Sequence, residues 1–254
     1  MSAMSVAWIV FACVFGAALI GILISKALPA HHLADDSKET VKLVMGLIAT
    51  MAALVLSLLV ASAKTSYDSQ SNAITQLAAN VVLVDRMLSL YGAETTGARE
   101  HLRQAVAEMI DRIWPEDRMR RTDLAPGSAQ GSAFAAFYMA VQSLSPQTEG
   151  QRFIRGQVLQ TIVSTGQTRI LMFEEASNSI SWPFLVVLVF WLCMLFAGFG
   201  LFAPRNATTM TVLLVGALSV AGAVFLILEL SQPYEGMLQI PSAGLRNAQA
   251  ELGK

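Results

Sequence analysis

The amino-acid sequence predicts an all-α integral membrane protein: four transmembrane helices in two hairpins, with a helical soluble insert between the second and third. Of 254 residues, 54% are hydrophobic and 14% charged, against roughly a quarter charged in an ordinary soluble domain. Mean hydropathy is +0.55. Four uncharged runs of twenty residues or more stand in the chain, each long enough to cross a bilayer core of about 30 Å as a helix. Seventeen Lys and Arg against eighteen Asp and Glu leave a net charge of −1, which argues against a nucleic-acid binder or a basic peripheral membrane protein.

The first run reaches Ser25 and meets no charge before Lys26. Its start has no cation and its apolar core is too long for a cleavable signal peptide, so a retained span is expected. A polar stretch, Lys26 to Lys42, leads to the second run, Leu43 to Ala63. These make the first hairpin, residues 1–63. The third and fourth runs, Ala176 to Pro204 and Asn206 to Leu228, are split by Ala203-Pro204-Arg205-Asn206, a natural tight turn. Trp182 and Pro183 mark the entrance of the third span, an aromatic at headgroup depth and a proline in a first turn, where its missing N–H costs nothing. The second hairpin covers residues 176–230, and 231–254 form a C-terminal tail.

The insert, residues 64–175, carries eleven of the seventeen basic residues. Apolar residues recur in it at helical spacing. One stripe is Ile74, Leu77, Val81, Val84 and Leu88; a second is Leu102, Val106, Met109 and Ile113; a third is Phe134, Phe137, Val141 and Leu144. The fourth is Leu159, Ile162, Val163, Ile170 and Phe173. Turn residues at 92–97, 114–127 and 145–150 separate them, giving a small helical bundle. No Gly or Pro falls between Leu47 and Tyr91, so the second span is expected to run on as one helix to Leu90.

The positive-inside rule is near a tie. Lys26, Lys38, Lys42 and Arg205 lie in the short loops, against Lys64, Arg169 and Arg246 near the span ends on the insert side. Long inserts largely escape that rule, and an Arg-rich, cysteine-free insert suits a cytosol, where we expect it. Cys13 and Cys193 both fall inside apolar runs, leaving the polar part without a thiol for a disulfide, a zinc site or a nucleophile.

Phosphate loops, His-Glu-x-x-His, Gly-x-Ser-x-Gly and Cys-x-x-Cys are absent, so neither an enzyme nor a cofactor is expected. His31, His32, Asp35 and Asp36 put two imidazoles and two carboxylates within about one helical turn, a set a divalent metal can use; a solvated loop is the plain alternative. His101 reads as a surface residue. Glu229 closes the fourth span, where an interfacial salt bridge is expected rather than a proton relay.

In the second span Gly46, Thr50, Ala53, Ser57, Ala61 and Lys64 fall three or four residues apart and share one helix face. Small and hydroxylated residues favour close helix packing in lipid. Alternatively, copies of this face surround a conduit, with Thr50 and Ser57 offering hydroxyls and Lys64 forming a basic ring that attracts anions. The fourth span has a similar stripe, Gly216, Ser219, Gly222 and Ala223, read as packing only.

Several stretches together resemble the bacterial bestrophin-like family, a domain of unknown function. They are Gln76-Leu77-Ala78-Ala79-Asn80 through Val84-Asp85-Arg86, Arg112-Ile113-Trp114-Pro115-Glu116, the run Phe199 to Asn206, and Leu228-Glu229-Leu230-Ser231-Gln232-Pro233-Tyr234-Glu235-Gly236. Members of that family often carry an acid and a phenylalanine in the motif that here reads Ser231-Gln232-Pro233-Tyr234, from which Ser231 departs. The resemblance implies a multi-pass protein of the bacterial inner (plasma) membrane. Bestrophins proper are pentameric anion channels with four spans per subunit, so it also implies a homo-oligomer contacting lipid and small inorganic anions.

Three functions compete on this reading. The first is a homo-oligomeric anion channel lined by the second span. The second is a proton-driven stator-like subunit, weakened because the third span has no Ser or Thr between Phe184 and Pro204. The third is a non-conducting scaffold or sensor whose insert binds a cytosolic partner.

Overall fold

The structure is a computed structural model that describes residues 2–27, 35–114, 132–177, 182–204, 206–234 and 236–253. Among these, the regular structure is helical throughout. In chain order the helices are α1 (Ala3–Ala27), α2 (Asp35–Tyr91), α3 (Thr96–Ile113), α4 (Ser132–Gln142), α5 (Glu149–Ser177), α6 (Trp182–Phe202), α7 (Ala207–Leu230) and α8 (Ala243–Glu251). A short 3-10 turn, Ala93–Thr95, joins α2 to α3. Helices α1, α6 and α7 and the apolar part of α2 are long and apolar enough to cross a membrane.

The helices begin and end for local reasons. Ser2 opens α1, its hydroxyl accepting from the Ser5 amide at 3.3 Å. Asn206 opens α7, its side-chain oxygen accepting from the Thr209 amide at 2.8 Å; both satisfy a donor that the first helical turn leaves over. Helix α2 runs 57 residues without a break and stops at Gly92, whose φ of 135° only glycine adopts readily.

The chain divides into two compact units, residues 1–67 with 178–238, and residues 68–177 with 239–254. In the first unit α1 packs along α6 and also against α7. The α1–α6 contact is backbone to backbone. A Cβ on Gly21 would strike the Ala197 carbonyl, and one on Gly200 would strike the Ala18 carbonyl. In lipid, where burying apolar surface between helices gains little, such close van der Waals approach is what holds helices together. Val14, Ala18, Leu188, Ala217, Val224 and Ile227 form the centre of this core.

In the second unit α2 and α5 run antiparallel with a steady register. Gln70 Nε2 donates to the Met172 carbonyl (3.1 Å), Asn80 Nδ2 to Thr165 Oγ1 (3.1 Å) and Gln151 Nε2 to the Tyr91 carbonyl (3.1 Å). The expected stripe on α2 is buried at every position, Ile74, Leu77, Val81, Val84 and Leu88. On α3 the buried row is Leu102, Val106, Ile110 and Ile113, with Ile110 in the place expected of Met109. On α5 the expected stripe needs correcting: Val163 and Ile170 are exposed, and the inward row is Val158, Thr161, Ile162 and Met172. Helix α5 meets α2 partly through hydrogen bonds, so its inner face carries threonines that an apolar pattern does not register.

The C-terminal segment belongs to the second unit. Ile240, Leu245, Ala248 and Leu252 are buried in it. The buried Trp114 indole donates to the Ile240 carbonyl at 2.9 Å. Arg103 Nη2 donates to the Leu252 carbonyl at 2.9 Å.

Candidate functional site

The apolar part of α2 presents two opposed faces. Ala52, Leu59 and Ala63 are buried in the first unit's core, with Met45, Ile48, Ala49, Val55 and Leu56 packed against it. At 100° per residue, the row Gly46, Thr50, Ala53, Ser57, Ala61 and Lys64 lies roughly opposite. All six are exposed in the single chain. Leu43, Leu47, Leu54 and Leu58 flank that row on one side, each at least 62% exposed. Within one chain, then, the small-residue row is not what holds α2 to its neighbours.

The polar groups on this row differ in what they offer. The Thr50 hydroxyl donates to the Leu47 carbonyl at 2.8 Å, so its proton is engaged and it turns a lone pair outward. Lys64 places its ammonium 5.4 Å from the centre of the Tyr67 ring, a cation–π distance that helps hold the charge in place. Gly46 also edges a shallow groove shared with Phe199 and Phe202 of α6.

On α7 the packed face is Leu213, Ala217, Ala221, Val224 and Ile227. Gly216 lies beside it, where a Cβ would stand 3.2 Å from the Phe196 ring, and Ala223 is half-buried. Ser219 and Gly222 point away from the chain's own core and are exposed.

Of the candidate metal set, His31 and His32 lie outside the described residues, as do the side chains of Asp35 and Asp36. Glu229 is buried, and among the described residues backbone amides rather than a cation meet it: Met237 N–H at 2.7 Å and Leu238 N–H at 3.3 Å. Gly236, at φ 86°, brings the chain so close that a Cβ there would run into the carboxylate.

The stretches that carry the family resemblance gain structural roles here. Asn80 ties α2 to α5, Trp114 and Asp85 hold the C-terminal segment, and Glu229 folds the turn after α7. A family model described as a bestrophin-like domain matches residues 12–245. The chain belongs to the bestrophin-like family. Among solved structures, a bacterial bestrophin homologue from Klebsiella pneumoniae carrying one substitution aligns with a TM-score of 0.69 at 12% identity, covering 94% of this chain and 97% of that one. A second structure of a Klebsiella pneumoniae homologue gives 0.68 at 13% identity, with 93% and 96% covered. A structure described as a membrane protein also gives 0.68 at 13% identity, covering 94% and 97%. At such identities the likeness is one of fold, and it extends over nearly the whole of both chains. No curated protein matches the sequence.

Proposed function

We propose that copies of this bestrophin-like chain assemble around an anion-conducting path lined by α2. Gly46, Thr50, Ala53 and Ser57 form its wall and Lys64 stands at its mouth. The carrying observation is the exposure of this row opposite the packed face of α2. Over residues 46–64 it extends about 27 Å at 1.5 Å per residue, nearly the depth of a bilayer core. Small side chains leave room along an axis that leucines would fill. Because the Thr50 proton is engaged by Leu47, discrimination between ions rests on the Lys64 charge, through simple Coulomb attraction. Five copies are what kinship with bestrophins implies, and the protein would sit in the bacterial plasma membrane with its insert in the cytosol. Ser219 and Gly222, exposed on α7, are small enough to pack against a neighbouring copy.

The test is ion preference in vesicles reconstituted with purified protein. Wild type should pass chloride in preference to potassium, and Lys64→Glu should shift that preference toward cations. An unchanged preference removes Lys64 from the path, and no flux in wild type at any potential favours the scaffold or sensor reading.

A further inference from the structure

One charged residue on the exposed face of α2 has no part in the path as proposed. Lys42 precedes Gly46 by one helical turn and is exposed in the single chain. At about 100° per residue it falls about 40° to one side of the line through Gly46 and Lys64, whereas Ala61 falls about 60° to the other. Lys42 therefore lies within the spread of the row, away from the buried Ala52, Leu59 and Ala63. It also lines the groove that Gly46 shares with Phe199 and Phe202. Between the two lysines the run Leu43 to Ala63 carries no charge. At about 1.5 Å per residue they stand about 33 Å apart along the helix, close to the depth of a bilayer core of about 30 Å. Acids lie further out at both ends, Glu39 one turn before Lys42 and Asp68 one turn after Lys64. The charge next to the apolar run is thus positive at each end.

Small uncharged walls do not concentrate anions; the charge at the mouth of entry does. The field of an exposed lysine fades within a Debye length, about 8 Å at physiological ionic strength. Over about 33 Å, Lys64 does nothing for an ion approaching from the short-loop side. We propose, on the footing of the channel reading, that Lys42 forms a second basic ring at the opposite mouth of the path. It gathers anions entering from the short-loop side as Lys64 gathers those entering from the insert side. The two directions of anion flow then depend on different lysines. A lysine that only anchors α2 at headgroup depth has no such directional effect.

The experiment is current recording in patches excised from bacterial spheroplasts that express the full-length protein, where every copy is inserted in one orientation. Symmetric N-methylglucamine chloride makes chloride the permeant ion. It is used at about 0.1 M and about 1 M, where the Debye length is about 10 Å and about 3 Å. The readout is the ratio of chloride current entering from the short-loop side to that entering from the insert side, which does not depend on how many copies fold. At the lower salt Lys42→Gln should lower this ratio about twofold or more, Lys42→Glu should lower it further, and Lys64→Gln should raise it by a similar factor. At the higher salt both Gln variants should return most of the way to the wild-type ratio. Lys26→Gln, which removes a cation at the end of α1 in the same short-loop stretch, should leave the ratio unchanged. An unmoved ratio in Lys42→Gln, an equal shift in Lys26→Gln, or a shift undiminished at the higher salt overturns the proposal and leaves the channel reading standing. No chloride current in wild type at any potential overturns both, so the two failures are told apart.

Discussion

Arg99 grips Asp85 with two parallel hydrogen bonds, Nε to Oδ1 at 2.7 Å and Nη2 to Oδ2 at 2.8 Å. Such a fork is the strongest form an arginine–carboxylate pair takes. Asp85 Oδ2 also accepts from the Gly253 amide at 3.3 Å, so one carboxylate joins α2, α3 and the C-terminal segment. Next to it, Arg103 holds the Leu252 carbonyl.

This junction sets an acid limit on stability. Burial raises the Asp85 pKa, but the Arg99 hydrogen bonds, the Gly253 amide and the charges of Arg99 and Arg103 outweigh it and hold the carboxyl below its ordinary value of 3.8. A depressed carboxyl stabilises the fold above its unfolded pKa, and that contribution is lost as pH falls through the folded value. At neutral pH Asp85→Asn should cost about 2 kcal/mol and speed tryptic cleavage at Arg246. Thermal melts recorded from pH 7 down to pH 3 should show wild type and variant converging only at the acid end. A constant gap over the whole range would mean that the Asp85 charge is not what matters.

The α1–α6 crossing should be intolerant of bulk at two positions and indifferent at a third. Gly21→Leu and Gly200→Leu each drive a side chain into a facing backbone carbonyl, and a cost of about 3 kcal/mol or more is expected from such overpacking. Gly16 has nothing within 4 Å of its would-be Cβ, so Gly16→Ala should melt within a degree or two of wild type. Comparison of melting temperatures in one detergent checks all three, and equal tolerance at Gly16 and Gly21 would contradict the crossing.

The turn after α7 depends on a carboxylate meeting backbone amides. Glu229→Gln keeps an acceptor for the Met237 and Leu238 amides and should cost about 1 kcal/mol, whereas Glu229→Leu leaves both unsatisfied and should cost about 2–3. Gly236→Ala should resemble the leucine variant, since its φ of 86° disfavours any side chain and the added methyl meets the carboxylate. Amide hydrogen exchange at Met237 reads this directly: it should accelerate in Glu229→Leu and Gly236→Ala, and much less in Glu229→Gln.

How much of this was legible in the sequence follows from where the information lies. The run of α2 through to Tyr91 could be read because nothing breaks it before Gly92, and the 74–88 stripe could be read because that part of the helix has one polar side. The partner of α1 could not. Helices α1, α6 and α7 are apolar on every side, so no pattern says which face meets which, and the deciding residues, Gly21 and Gly200, carry no hydropathy signal. The inner face of α5 departs from the expected stripe for the opposite reason, since Thr165 bonds to Asn80 of α2 and Thr161 is buried while Val163 and Ile170 face out. Asp85 and Trp114 stood out only as parts of a family-like pattern, and Glu229 as the acid that closes an apolar run, where a salt bridge was the expectation. Apart from the Arg99 side chain on Asp85, their partners, Gly253, Ile240 and Met237, are backbone groups, which no side-chain pattern reveals. The exposed row Gly46 to Lys64 was visible as a stripe, and its exposure opposite the packed face is what the fold adds.

The most direct measurement is electron cryomicroscopy of the purified full-length protein. The account predicts a closed ring of copies with an axial opening, the Gly46, Thr50, Ala53 and Ser57 row of every copy turned toward the axis and Lys64 at one mouth. A ring whose axis is lined by another helix, or a single copy with that row facing detergent, would contradict it.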